Sequence, residues 1–154
     1  MDWNSFLGAF TCPAGRSFPD IHTTFSRRRS LDTLAGVPDE PGVYVLVAPN
    51  HEFTYPRRAG AVFYIGEAES LSVRLAQHLV HSTATAANAR IGYDVYWPIY
   101  EYAGAFGAQF SYSTTADHKA EEGKLLERFA RRFGAIPVAN TKHSDFWHRV
   151  QVDA

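Results

Sequence analysis

Gly42-Val43-Tyr44-Val45-Leu46-Val47-Ala48 is the stretch that decides the fold. It is β-branched and aromatic, opens on a glycine and stops at Pro49, which predicts a strand. Working outward, residues 49–60 contain Pro49, Asn50, Pro56 and Gly60 and predict a long loop. Ala61-Val62-Phe63-Tyr64-Ile65 follows as a second strand, ended by Gly66. Two neighbouring strands joined by one loop most simply form an antiparallel hairpin.

Beyond the hairpin, Ser70 is a good N-cap. Leu71, Leu75 and Leu79 then recur every fourth residue, which predicts a helix with one apolar face. Residues 82–92 are small and polar and read as a loop. The stretch 93–113 is rich in Tyr, Trp and Phe, interrupted by Pro98, Gly104 and Gly107; it predicts one or two strands, of which 110–113 is the clearer. A second helix spans about 117–133, with Gly134 as its stop signal and Pro137 just beyond. Upstream, residues 1–38 mix Pro, Gly and Ser with the run Arg27-Arg28-Arg29, and read as a loose arm with one short helix from Ser30. The order defines an α+β fold in which helices cover a small antiparallel sheet of three or more strands.

The chain has 154 residues, which suits one domain. Apolar residues make up 45% and aromatics 14%, enough for a buried core. The balance of 15 Lys and Arg against 16 Asp and Glu, a net charge of −1, excludes a histone-like polybasic binder but not a local basic patch. A single cysteine, Cys12, excludes an intramolecular disulfide and a four-cysteine zinc site. No run approaches the ~18 apolar residues of a membrane helix. The first residues lack the basic segment of a secretory signal. These features lead to the expectation of a cytoplasmic protein with no membrane partner.

On the first helix Arg74 and His78 are four residues apart and share a face. That face adjoins the leucine stripe, so both are expected at the edge of the core; a snorkelling arginine and a surface histidine are the plainer alternative. On the second helix, with Glu122 at 0°, Leu126, Phe133 and Phe129 fall within about 40° of it. Glu122 is therefore centred on the apolar face. A carboxylate there must pair, bind a metal or shift its pKa, or else reach past the core to solvent or backbone amides. Glu121 falls at the margin of that face. Tyr44 and Tyr64 on strands would ordinarily be core residues, and Asn140 a turn residue.

Taken in order, Gly42-Val43-Tyr44, Tyr64-Ile65-Gly66, Leu71 with Arg74-Leu75 and His78, Glu122 with Leu125-Leu126, and Pro137-x-x-Asn140 strongly resemble the GIY-YIG nuclease family. The lead-in from Pro38 to Pro41 looks like the start of that domain in excision-repair nucleases. The resemblance covers residues 36–142. It leaves 1–35 as an N-terminal arm of unknown role and 143–154 as a C-terminal tail. Val43 stands where isoleucine is typical. The long interval between the two tyrosines makes 49–60 an insertion, and the interval from Glu122 to Asn140 is also stretched.

The resemblance implies a metal-dependent endonuclease that hydrolyses phosphodiester bonds in DNA. It implies catalytic roles for Tyr44, Tyr64, Arg74, His78, Glu122 and Asn140. Glu122 would hold one Mg²⁺ or Mn²⁺, since hard cations prefer oxygen ligands. Arg74 would clamp the scissile phosphate. Tyr44 would be the general base with His78 as its proton-accepting neighbour, or His78 would be the base itself. Tyr64 would position water or phosphate, and Asn140 would anchor the site. Arg57, Arg58, Arg128, Arg131, Arg132 and Lys142 are candidate phosphate contacts. Without a helix-turn-helix or zinc finger, specificity would come from the arm, the insertion, a partner protein or a homo-oligomer. RNA as substrate, a toxin nuclease, and a non-catalytic nucleic-acid-binding module on the same fold remain the alternatives.

Overall fold

The computed structural model describes residues 25–86 and 97–140. The two strands expected at its centre are present. β2, Gly42–Val47, runs antiparallel to β5, Val62–Ala68, in a four-stranded sheet ordered β1 (Arg29–Ser30), β6 (Gln109–Thr114), β2, β5. Every residue of β2 is buried, because it has a strand on each side and two helices packed against it. That explains its unbroken apolar run, where a half-exposed strand would alternate.

β5 does not end at Gly66 but continues to Ala68, pairing Tyr44 with Gly66 and Gly42 with Ala68. β6, Gln109–Thr114, lies on the other side of β2. β1, Arg29–Ser30, pairs with β6, so Ser30 starts no helix: it ends a short edge strand, and Leu31 behind it is buried. The stretch 49–60, expected to be a long loop, is not a plain loop. It holds a small hairpin, β3 (Phe53–Thr54) and β4 (Ala59–Gly60), and sends Phe53 and Tyr55 into the core.

Helix α1, Leu71–Ala86, starts where Ser70 predicts: the Ser70 hydroxyl accepts from Val73 N–H at 3.2 Å. The Pro38–Glu40 turn supplies further caps, its carbonyls accepting from Leu71 and Ser72 N–H. The helix runs five residues into the stretch 82–92 expected to be loop. Its buried stripe is Leu71, Leu75, His78 and Ser82, a spacing of four, three and four, and Leu79 is only partly buried. A histidine, not the third leucine, thus occupies the core position.

Residues 97–106 contradict the strand expectation by forming helix α2, Trp97–Phe106, which packs on α1. Pro98 sits in its first turn, where a missing N–H costs nothing. Gly107, at φ 73°, leaves the helix in the left-handed region that favours glycine. Both residues were helix punctuation.

Helix α3, His118–Phe133, ends at Gly134 with φ 82°, whose N–H bonds to Ala130 O at 2.8 Å. Its buried face is Glu122, Leu125, Leu126, Phe129, Ala130 and Phe133, the apolar face with a carboxylate at its centre. α3 packs on β5 and β2. Past its end, the Ala139 amide donates to Phe63 O, and Asn140 both accepts from Ile65 N–H and donates to Ile65 O. The segment thereby closes the open edge of β5, which would otherwise present unpaired backbone groups.

Candidate active site

Strand register brings the two tyrosines together. Tyr44 lies opposite Gly66 and diagonal to Tyr64, and residues two apart share a face of the sheet. Their ring centroids are 5.9 Å apart. Gly66 makes this possible: a Cβ there would sit 2.6 Å from the Tyr64 ring and 2.7 Å from the Tyr44 phenol. Gly42 has a matching constraint at the other end of β2, where a Cβ would drive into the Ser113 carbonyl and Leu71. Both glycines are thus required by close approach.

α1 lies over this face and delivers His78 to it. The Tyr44 hydroxyl and His78 Nε2 are 2.6 Å apart, a short hydrogen bond inside the core. With the imidazole in its Nδ1–H tautomer, the phenol donates to Nε2. His78 is 1% exposed and Tyr44 1%. Burial raises the Tyr44 pKa well above its ordinary value; Tyr64 and Glu122 push the same way, and Arg74 opposes them. Burial also lowers His78 to about 3, with Arg74 and His81 adding to the effect. Both groups are therefore neutral at neutral pH, which is the state a phenol-to-imidazole bond requires.

The charges around the pair come from two helices. Arg74, one turn before His78 on α1, is half-buried. Glu122 projects from α3 and is 8% exposed. Its neighbour Glu121 is engaged elsewhere, with Lys124 Nζ at 2.6 Å. Asn140 holds the strand that carries Tyr64, through its two bonds to the Ile65 backbone. Five of the six residues singled out as catalytic thus belong to one buried cluster or its charged border, and the sixth braces the adjoining backbone.

The basic residues lie elsewhere. Arg57 and Arg58 sit at the C-terminal end of α3, about 16 Å of helix beyond Glu122. The Arg57 amide donates to Phe133 O, its guanidinium donates to Arg131 O at 2.6 Å, and Arg58 lies over the Phe133 ring. These contacts cap the helix and favour its negative end. Arg131 pairs with Glu127 at 2.8 Å. Arg128 and Arg132 are half-buried on the same helix. Lys142, together with Cys12 and the 143–154 tail, falls outside the described residues.

Three residues near the cluster escape sequence reasoning. Glu67, directly after Gly66, accepts from or pairs with His118 Nδ1 at 2.6 Å. Lys119 follows on α3. Glu67, Glu69, Ser70, Arg74, Gln77 and Lys119 line a cleft of about 370 Å³ that opens beside Arg74. The available signal was the helical spacing of His118 and Glu122, four apart and on one face.

Comparison with protein-family models, with curated proteins and with solved structures found no match for this chain. Among the described residues no group of three or more His, Cys, Asp or Glu side chains is placed to hold a metal ion. None of the helices there is long and apolar enough to cross a membrane.

Proposed function

We propose that this chain is a metal-dependent endonuclease of the GIY-YIG type, hydrolysing phosphodiester bonds in DNA. One observation carries the reading. The short Tyr44–His78 bond lies in a buried cluster whose charges, Arg74 and Glu122, act on the phenol in opposite senses. A purely structural tyrosine has no need of a histidine acceptor, an arginine and a carboxylate at once.

Each requirement of the chemistry then has a residue. Arg74 opens onto the cleft and binds the scissile phosphate, its permanent charge and planar fork suiting phosphate oxygens. Tyr64 holds the attacking water against that phosphate. Tyr44 takes a proton from the water as its own passes to His78 Nε2. In the closed cluster this relay is held off, because burial disfavours both the phenolate and the imidazolium. Arg74 favours the phenolate, and an anionic phosphodiester beside His78 favours the imidazolium. The relay is therefore poised to work only with substrate in place. His78 is the terminal acceptor and Tyr44 the group that touches the water.

Glu122 is the residue that would hold Mg²⁺ or Mn²⁺. A single carboxylate suits Mg²⁺, which keeps several waters and takes substrate phosphate oxygens as its other ligands. When bound, the ion would supply Lewis-acid stabilisation of the phosphate and of the leaving oxygen. The donor set does not suit zinc, for which nitrogen and sulfur ligands would be expected.

The test is nicking of supercoiled plasmid, with structured RNA in parallel, in Mg²⁺, in Mn²⁺ and in EDTA. Wild type is expected to cut DNA with metal and to stop in EDTA. Arg74→Ala and Glu122→Gln are expected to lose at least ~10²-fold in rate, as for removal of one group that stabilises transition-state charge. Metal-independent cutting, or equal rates in the variants, would overturn the proposal; cutting of RNA alone would change its substrate.

A further inference from the structure

We infer that the cleft beside Arg74 is a second phosphate subsite, which seats the nucleotide next to the scissile bond and uses Lys119 as its anchor. This rests on the nuclease reading above, since Arg74 is the wall that the cleft shares with the candidate active site. The shared wall is what gives the cleft a direction: a strand whose phosphate lies on Arg74 continues into it. Its volume of about 370 Å³ is at the small end of ligand sites, which run from about 300 Å³. That is room for one nucleotide unit of a strand.

The charges of the cleft favour an anion more than its lining suggests. Two glutamates and two cations line it. Glu67 is turned toward His118, and its carboxylate is engaged at 2.6 Å. Lys119 has no such engagement: among the described residues it pairs with no carboxylate, although Glu67 and Glu69 line the same cleft. Two other cations of α3 are paired along the helix, Lys124 with Glu121 and Arg131 with Glu127. Lys119 is exposed, so its side chain is open to a ligand in the cleft. A compact point charge on a flexible stem suits a backbone phosphate whose position shifts with sequence. Ser70 and Gln77 add neutral hydrogen-bonding groups on the α1 side.

The assignment also separates two kinds of basic residue. Arg57 and Arg131 are tied to backbone or carboxylate oxygens at the far end of α3. Lys119 stands at the near end, beside Arg74. It is therefore the stronger candidate for a phosphate contact than the arginine clusters that draw the eye in the sequence.

The experiment measures binding and cutting separately. A labelled DNA duplex with a single-stranded end is titrated with protein in EDTA, at salt concentrations from about 50 to 200 mM, and the same DNA is cleaved in Mg²⁺. For Lys119→Ala the slope of log affinity against log salt is expected to fall by about 0.7 to 0.9, the loss of one phosphate contact. In cleavage the effect is expected mainly on KM, and Lys119→Arg is expected to restore both. An unchanged slope and KM in Lys119→Ala, with wild type binding and cutting, would overturn the subsite and leave the nuclease reading intact. Wild type that binds without cutting, with the slope still falling in Lys119→Ala, would support the subsite while removing the enzyme. Wild type that neither binds nor cuts would overturn both.

Discussion

Tyr44 and Tyr55 are the same side chain in nearly the same degree of burial, 1% and 4% exposed. Burial raises the pKa of both. They differ in what surrounds the hydroxyl. Tyr55 donates to Val62 O at 2.6 Å and accepts from Val138 N–H, while its ring packs edge-on against Phe129 and Phe133. Both hydrogen-bond partners of its hydroxyl are backbone groups, and the nearby Tyr102 phenol acts on it only through charge, with no hydrogen bond between them to pass a proton. Tyr44 faces His78, Tyr64, Arg74 and Glu122. Burial alone therefore does not mark a functional tyrosine. The mark is a hydroxyl bonded to another titratable group, with fixed charges of both signs around it.

The difference is first visible in acid. An unfolded histidine titrates near 6.5, whereas folded His78 is held down to about 3. Between those values the unfolded chain binds a proton that the folded chain refuses. Stability contributed by neutral His78 is thus fully present above pH ~6.5 and is lost as pH falls toward 3. The slope is up to about 1.4 kcal/mol per pH unit. Urea unfolding at pH 7 and pH 5 should therefore show wild type losing about 2 kcal/mol that His78→Gln does not lose. Parallel pH profiles for the two proteins would mean that the imidazole is not held neutral by the core.

A smaller effect is expected on the structural side of the comparison. Tyr55→Phe removes a hydroxyl that serves two backbone groups, at a cost of about 1 to 2 kcal/mol. The loss should show no pH dependence between 5 and 7, and cleavage rate should be unchanged. A rate loss in Tyr55→Phe, checked at a temperature where the variant is fully folded, would erase the distinction between the two tyrosines.

The sequence conveyed this contrast unevenly. Strands β2 and β5 and helices α1 and α3 were legible because composition, spacing and caps agree. Gly134 ends α3 as its position demands, and Glu122 is buried as its place on the helical wheel requires. Helix α2 was not legible. Its aromatic content points to strand, and propensity is a weak guide where tertiary packing decides. Ile99 and Ala103 face the core at helical spacing, but the signal is short and lies among aromatic neighbours. His78 was placed at the edge of the core because Leu79 fits an apolar stripe better. The chain instead buries the imidazole, since Tyr44 offers it a partner that no one-dimensional pattern displays. The spacing of His118 and Glu122 marks a shared helix face, but it does not show that Glu67, 51 residues before His118 in the chain, is its partner.

The most direct test of the claim that Tyr44 is a proton-transfer group is single-turnover cleavage of duplex DNA in Mg²⁺ by wild type, Tyr44→Phe and Tyr55→Phe. Tyr44→Phe keeps the ring and removes only the hydroxyl bonded to His78. Its rate is expected to fall by about 10² to 10⁴, the range for a general base, while Tyr55→Phe cuts like wild type. Cleavage by Tyr44→Phe at the wild-type rate would contradict the account.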